Sequence, residues 1–257
     1  MKKTEIKIDI SSYPEELGGW LSVARVFDSR CASGAEVLYL DSGYYLKSDR
    51  EGSLCREHAM TKLFFERGLA PEPVAYISQN GRDYLLTREL VGEDMTHYLD
   101  KPVLLTDRLA EAMRGLHEIE PFGVPVSVAI SEYASIADTC EDREYDEAFL
   151  SSVFPISSVD EARELVREYR NKFSTDTLIH GDFCLPNVIL DRGDFAGFID
   201  LGYAGAGDRH IDVFWAVWTL AYNLGTNDYA DRFLDAYGRE GLSIEKLRAV
   251  AAFSAFG

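Results

Sequence analysis

His180-Gly181-Asp182 is followed by Asn187, five residues beyond the aspartate, and by Asp200 after a further apolar run. One carboxylate can orient and deprotonate a hydroxyl. The amide oxygen and the second carboxylate can hold a hard cation. These are the parts of a phosphoryl-transfer centre, with Asp182 as base and Asn187 and Asp200 as magnesium ligands against a nucleotide's phosphates. Asp and Asn by themselves are ordinary turn formers. Here they are spaced around two short apolar runs, Val188-Ile189-Leu190 and Gly197-Phe198-Ile199, and turn chemistry does not ask for that arrangement. His180 reads as structural, satisfied by backbone groups, and not as a second base.

Phosphates also need a cation from the protein. Lys47 follows an apolar, aromatic strand and precedes a helix that carries Glu57. A strand lysine paired to a helix glutamate would set its ammonium on the phosphates. Glu51 is the competing partner, and Glu57, ahead of an apolar stripe, fits better. No G-x-G-x-x-G and no G-x-x-x-x-G-K-[ST] occurs, which disfavours a P-loop. Ser33-Gly34, one hairpin before Lys47, is either a plain turn or a phosphate contact. Asp212 at the head of an aromatic helix suits the helix dipole, and it can also hold the backbone amides of the Asp182 loop. The acidic run Asp138 to Glu147 reads equally as a solvated face or as a surface for a polycationic substrate.

The elements that would position these groups fall into two parts. Val37 to Leu40 and Tyr44 to Lys47 read as strands around the turn Asp41-Ser42-Gly43. A helix is expected over Glu51 to Arg67, with Met60, Leu63 and Phe64 on one side and a stop at Gly68. Tyr76-Ile77-Ser78 and Tyr84 to Thr87 flank Gln79-Asn80-Gly81 as a hairpin. This predicts a small mixed lobe over residues 1–90. Beyond it, Leu105, Leu109, Met113 and Leu116 recur at helical spacing, and Pro121 to Pro125 end that helix. Ser158-Val159-Asp160-Glu161 is a capping box, and 208–224 reads as a further helix. The two apolar runs near Asp182 should form a ribbon. Residues 91–257 therefore read as a larger, mostly helical lobe, and the fold class as α+β.

At 257 residues, with 46% hydrophobic and 12% aromatic content, the chain can bury a large core. No apolar run is long enough to span a bilayer, and no apolar signal core follows the basic start, so a cytoplasmic location is expected. The four cysteines are scattered without a C-x-x-C pair, which argues against zinc and against a disulfide framework. A net charge of −18 would repel nucleic acid. It serves solubility, or it attracts a cationic small molecule. A nucleoside triphosphate would then need metal and local cations to bind.

Taken together, the motifs resemble those of the aminoglycoside phosphotransferase family, most closely its 3′-phosphotransferase branch. His180-Gly181-Asp182-x-Cys184-Leu185-Pro186-Asn187 is similar to that branch's catalytic loop. Phe198-Ile199-Asp200-Leu201-Gly202-x-x-Gly205-x-x-Asp208-Arg209-x-x-Asp212 is similar to its metal-loop segment. The resemblance covers nearly the whole chain. It implies a two-lobed, protein-kinase-like fold, with an antiparallel sheet lobe and one helix over 1–90 that binds nucleotide, and a catalytic and acceptor-binding lobe over 91–257. It implies Asp182 as base, Asn187 and Asp200 as magnesium ligands and Lys47–Glu57 as the ion pair. It further implies Ser33 as a phosphate contact, Tyr45 as a ring stacked on the purine and Leu90 as the hinge amide donor. ATP or GTP with Mg²⁺ would phosphorylate a hydroxyl of an aminoglycoside and so confer resistance, in a monomer or homodimer without nucleic-acid or membrane partners. The chain departs from the branch in carrying Tyr203 where arginine is common, and in ending Ala251 to Gly257 without an acid. The end without an acid points to a kinase for another small alcohol, choline-like or sugar, as the alternative acceptor reading. A non-catalytic nucleotide-binding protein is the alternative from another class, but it would not need the base.

Overall fold

Alternating burial along the early strands sets which residues face the core and which face outward. The computed structural model describes residues 3–29, 34–147 and 153–257. It divides into two compact units, Met1–Gly92 with Ala196–Gly202, and Glu93–Phe195 with Tyr203–Gly257.

In the first unit, β1 (Thr4–Ile6), α1 (Gly18–Leu21), β2 (Val26–Asp28), β3 (Glu36–Leu40) and β4 (Tyr44–Arg50) lead to α2 (Cys55–Phe65), β5 (Pro73–Gln79) and β6 (Arg82–Arg88). The six strands form one antiparallel sheet in the order β1-β2-β3-β4-β6-β5. Leu38, Leu40 and Leu46 point to one face and pack with Leu17, Leu21 and Val26. Side chains alternate along a strand, so Tyr39, Tyr45 and Lys47 take the opposite face. The 37–47 and 76–87 hairpins lie where the sequence places them. The helix expected from Glu51 begins later, at Cys55. Gly52 adopts φ 84° in the preceding turn, and the cap comes from outside the helix, because buried Asp83 on β6 accepts from the Leu54 N–H at 3.0 Å. On α2, Met60 and Phe64 are buried and Leu63 is half-buried.

The second unit continues with β7 (Glu93–Asp94), α3 (Pro102–His117), α4 (Val128–Thr139), α5 (Val159–Tyr169), β8 (Thr177–Ile179) and β9 (Val188–Asp191). β10 (Asp194–Phe198) then carries the chain into the first unit. It starts three residues ahead of the expected strand, after a tight turn with positive φ at Arg192 and Gly193. The chain returns as β11 (Gly205–Gly207), α6 (Arg209–Leu224), α7 (Ala230–Tyr237) and α8 (Ile244–Ala255). Leu105, Leu109, Met113 and Leu116 are all buried, and α3 packs on α6 and α7. The cap forms, with Ser158 Oγ accepting from Glu161 N at 3.2 Å, while the Glu161 carboxylate accepts from Ser157 N at 2.6 Å, one residue before the cap. No helix among the described residues is long and apolar enough to cross a membrane.

Asp208 caps α6 and ties three segments together. Its Oδ1 accepts from His210 N at 3.0 Å and meets His210 Nδ1 at 2.5 Å. Its Oδ2 accepts from Ser174 N at 3.0 Å and from Lys246 Nζ of α8 at 2.7 Å. Burial opposes its charge, yet these donors hold its pKa well below the carboxylate range. A depressed folded pKa contributes stability that is complete above the unfolded value near 3.9 and is lost as pH falls through the folded one. Asp208→Ala should therefore lower the unfolding free energy by about 3 kcal/mol at pH 7, since it strands Lys246 and His210. Urea titrations of parent and variant should show that difference narrowing below about pH 4. A constant difference down to pH 2 would mean the loss is one of packing alone.

Candidate active site

Asp182 and Asn187 belong to the second unit. Lys47, Glu57, Asp200, Tyr45 and Leu90 belong to the first.

The Asp182 loop leaves β8 at His180. Gly181 adopts φ 84°, and a Cβ there would lie 2.5 Å from the Tyr203 carbonyl oxygen, so this turn admits glycine only. Asp212, fully buried on α6, accepts from His180 N at 2.8 Å and from Gly181 N at 2.7 Å. It thus takes the loop-holding role beside its place in the helix's first turn. His117 of α3 adds Nε2 to the same carboxylate at 3.1 Å and meets the Tyr237 hydroxyl through Nδ1 at 2.8 Å. His180 is fully buried, and its Nδ1 accepts from Asp182 N at 3.3 Å. Asp182 itself stays half-buried. Asn187 Nδ2 donates to the Asp182 backbone oxygen at 3.0 Å and to Asp182 Oδ2 at 2.9 Å. With its amide hydrogens so used, Asn187 has its carbonyl oxygen left as the atom that could ligate a cation. The Cys184 thiol is pushed well above its usual pKa by burial and then by the Asp182 charge, which keeps it from acting as a nucleophile.

In the first unit, Lys47 Nζ lies 2.7 Å from Glu57 Oε2 and 2.5 Å from Asp200 Oδ1. Glu51, the competing partner, sits in the turn before α2 and makes no ion pair among the described residues. Burial works against the ammonium, but the Glu57 and Asp200 charges overcome it and raise its pKa. Asp200 adopts φ 61°, a left-handed conformation uncommon outside glycine and tolerated by aspartate. It is brought to Lys47 by the return segment, where Phe198 N donates to Leu69 O at 2.7 Å and the Phe198 ring meets Phe64 edge-on at 6.4 Å.

Two carboxylates around one ammonium leave a net negative charge, which suits an added divalent cation. No group of three or more His, Cys, Asp or Glu among the described residues would hold a metal unaided. Magnesium does not require one, because it keeps several waters and takes one or two protein ligands plus phosphate oxygens. The donor set fits that ion. Tyr45 lies on the Lys47 face of β4, 5.0 Å from Tyr39 across the strand pair, with Lys3 Nζ 5.2 Å from its ring. Leu90 follows β6, and its amide carries no hydrogen bond among the described residues. Ser33 lies outside the described residues.

Part of the acidic run is spent internally. Asp138 pairs with Arg170, and Glu141 pairs with Arg163 and Arg167 of α5. Asp142, Glu144, Asp146 and Glu147 stay exposed. Two contacts near the Asp182 loop escaped the sequence reading. They are His117 on Asp212, and Glu132, which accepts from the Tyr203 hydroxyl at 3.0 Å. Their partners are 95 and 71 residues away, and no local pattern announces them.

Residues 30–253 match the model of the phosphotransferase enzyme family. The chain is 38% identical over 257 residues, 98% of each chain, to a probable aminoglycoside 3′-phosphotransferase of Lactococcus lactis. It is 32% identical to an aminoglycoside 3′-phosphotransferase of Niallia circulans, over 70% of this chain and 71% of that one. Among solved structures, aminoglycoside phosphotransferase APH(3'')-Id of Streptomyces rimosus superposes with a TM-score of 0.69 at 22% identity, over 87% of this chain and 90% of that one. A type VIII aminoglycoside-3′-phosphotransferase superposes with a TM-score of 0.64 at 24% identity, over 90% and 91%. The fold is therefore the two-lobed, kinase-like α+β fold, the enzyme is a phosphotransferase acting on an alcohol group, and the chain belongs to the aminoglycoside phosphotransferase family.

Proposed function

We propose that this chain transfers the γ-phosphoryl group of ATP or GTP to a hydroxyl of an aminoglycoside, of the 3′ type, and so confers resistance in the cytoplasm. Residues 1–90 supply the nucleotide lobe, and 91–257 the catalytic and acceptor lobe. Asp182 orients the acceptor hydroxyl and takes its proton as the oxygen attacks phosphorus and the nucleoside diphosphate departs. Asn187 and Asp200 hold magnesium. When bound, the ion would supply positive charge against the phosphates. Lys47, fixed by Glu57, contacts the phosphates, and Ser33 adds a further contact. Tyr45 stacks on the purine, and the Leu90 amide donates to its edge.

The observation that carries this reading is the full-length likeness to the Lactococcus relative in a chain whose Asp182–Asn187 and Lys47–Glu57–Asp200 sets are both formed. The alternative acceptor reading is a kinase of the same fold for another small alcohol. A panel of aminoglycosides and small alcohols with labelled ATP, read by product mass, separates the two. Phosphorylation of the alcohols alone would overturn the first reading.

Asp182→Asn should leave nucleotide affinity nearly intact and cut kcat by about 10²–10⁴-fold. Steady-state turnover beside calorimetric ATP titration checks this, and near-parental turnover would remove Asp182 from the chemistry. Asp200→Ala should abolish the tightening of ATP binding by magnesium, because it removes a charged ligand of the ion. Titrations with and without Mg²⁺ test it. Tightening equal to that of the parent would show that the ion is held elsewhere.

A further inference from the structure

Tyr203 ends the short turn Leu201–Tyr203 and is clamped against the catalytic loop. Its carbonyl oxygen accepts from Ser127 Oγ at 2.6 Å, and Gly181, which precedes the base, packs directly on its backbone. The ring leaves this clamp with 41% of its surface exposed and donates its hydroxyl to Glu132 Oε1 on α4 at 3.0 Å. Burial, the Glu132 carboxylate and the Asp182 charge together push the phenol up to about 12. The ring thus stays a neutral donor, and its hydroxyl lies within the fields of two carboxylates, Glu132 and the base.

Glu132 differs from the neighbouring acids in what it lacks. Asp138 and Glu141 are matched by arginines of α5. Glu132 is exposed and has no cation partner among the described residues. A tyrosine hydroxyl fixes one of its oxygens without cancelling its charge, as an arginine at position 203 would. The second oxygen accepts no hydrogen bond among the described residues.

Resting on the function proposed above, we propose that Glu132, oriented by Tyr203, is a specificity-determining contact for an ammonium group of the acceptor. The acceptor class it selects is an alcohol whose reactive hydroxyl lies on a sugar bearing protonated amines. A neutral sugar or a singly charged choline-like alcohol gains less from this carboxylate.

The test is acceptor kinetics of the parent, Glu132→Gln and Glu132→Asp with kanamycin and ATP at low and high salt. Glutamine still accepts from the Tyr203 hydroxyl but carries no charge, so a merely structural latch would survive it. The expected result is an acceptor KM raised about 2- to 5-fold in Glu132→Gln at low salt, the scale of one exposed ion pair. The ATP KM should be unchanged and the effect should shrink at high salt. Glu132→Asp, which keeps the charge, should fall between. An acceptor KM in Glu132→Gln equal to that of the parent at low salt overturns the inference and leaves the function standing. A parent that turns over no aminoglycoside removes the function reading, and this inference with it.

Discussion

A carboxylate sealed from water needs hydrogen bonds to hold its charge, and Asp212 has three: two backbone amides of the catalytic loop and a ring nitrogen of His117. Through it the loop inherits the packing of α3, α6 and, by way of Tyr237, α7. The loop's own chain would not stay in place, because Gly181 occupies a conformation that glycine also leaves easily. Two charge-assisted bonds to adjacent amides over-determine that turn. The backbone of Asp182 is thereby pinned while its carboxylate stays half-exposed, with one oxygen toward Asn187. A rigid backbone under a reachable carboxylate is what the base proposed above would need if proton transfer is to depend on geometry and not on search.

The Lys47 set follows a different logic. Here the constraint is charge and not loop shape. One ammonium lies between two carboxylates, supplied by a strand, a helix turn and a segment returning from 196–202. Glu57 alone would neutralise Lys47. Adding Asp200 makes the set anionic, so it would gain from a divalent cation and would lose little if Lys47 were shared with phosphate oxygens. The left-handed backbone at Asp200 is the local cost of turning that side chain toward Lys47.

How much of this could be read in advance depended on how local each cause was. The spacing of Asp182, Asn187 and Asp200 is short-range, and the amide bonds from Asn187 to Asp182 are its direct result. The hairpins, α3 and the Ser158 cap were legible because a period or a cap within a few residues dictates each. The start of α2 was not, since its cap comes from Asp83, 29 residues on. α8 was not, because Ala249, Val250, Ala251, Ala252 and Phe253 form an unbroken buried run in its second half, and such a run sets no helical period. Nor was the return of 196–202 to the first unit, which hydrophobic pattern does not encode. The Glu132–Tyr203 contact joins residues whose pairing only the fold decides.

The charge of −18 looks different once its partners are known. Arg163, Arg167 and Arg170 recur along α5 and meet Asp138 and Glu141, so one end of the acidic run stitches α5 to the end of α4. Exposed pairs of this kind contribute at most about 1 kcal/mol each. They cannot by themselves account for so many acids, and Asp142, Glu144 and Glu147 make no ion pair among the described residues. Unmatched acids on this unit repel one another and oppose a triphosphate as well, a standing cost to fold and nucleotide alike. Salt screens part of that cost, and a cationic ligand would lower it further. The paired acids thus serve the fold, and Glu132, held by the Tyr203 hydroxyl, is the acid that the proposal above assigns to the acceptor.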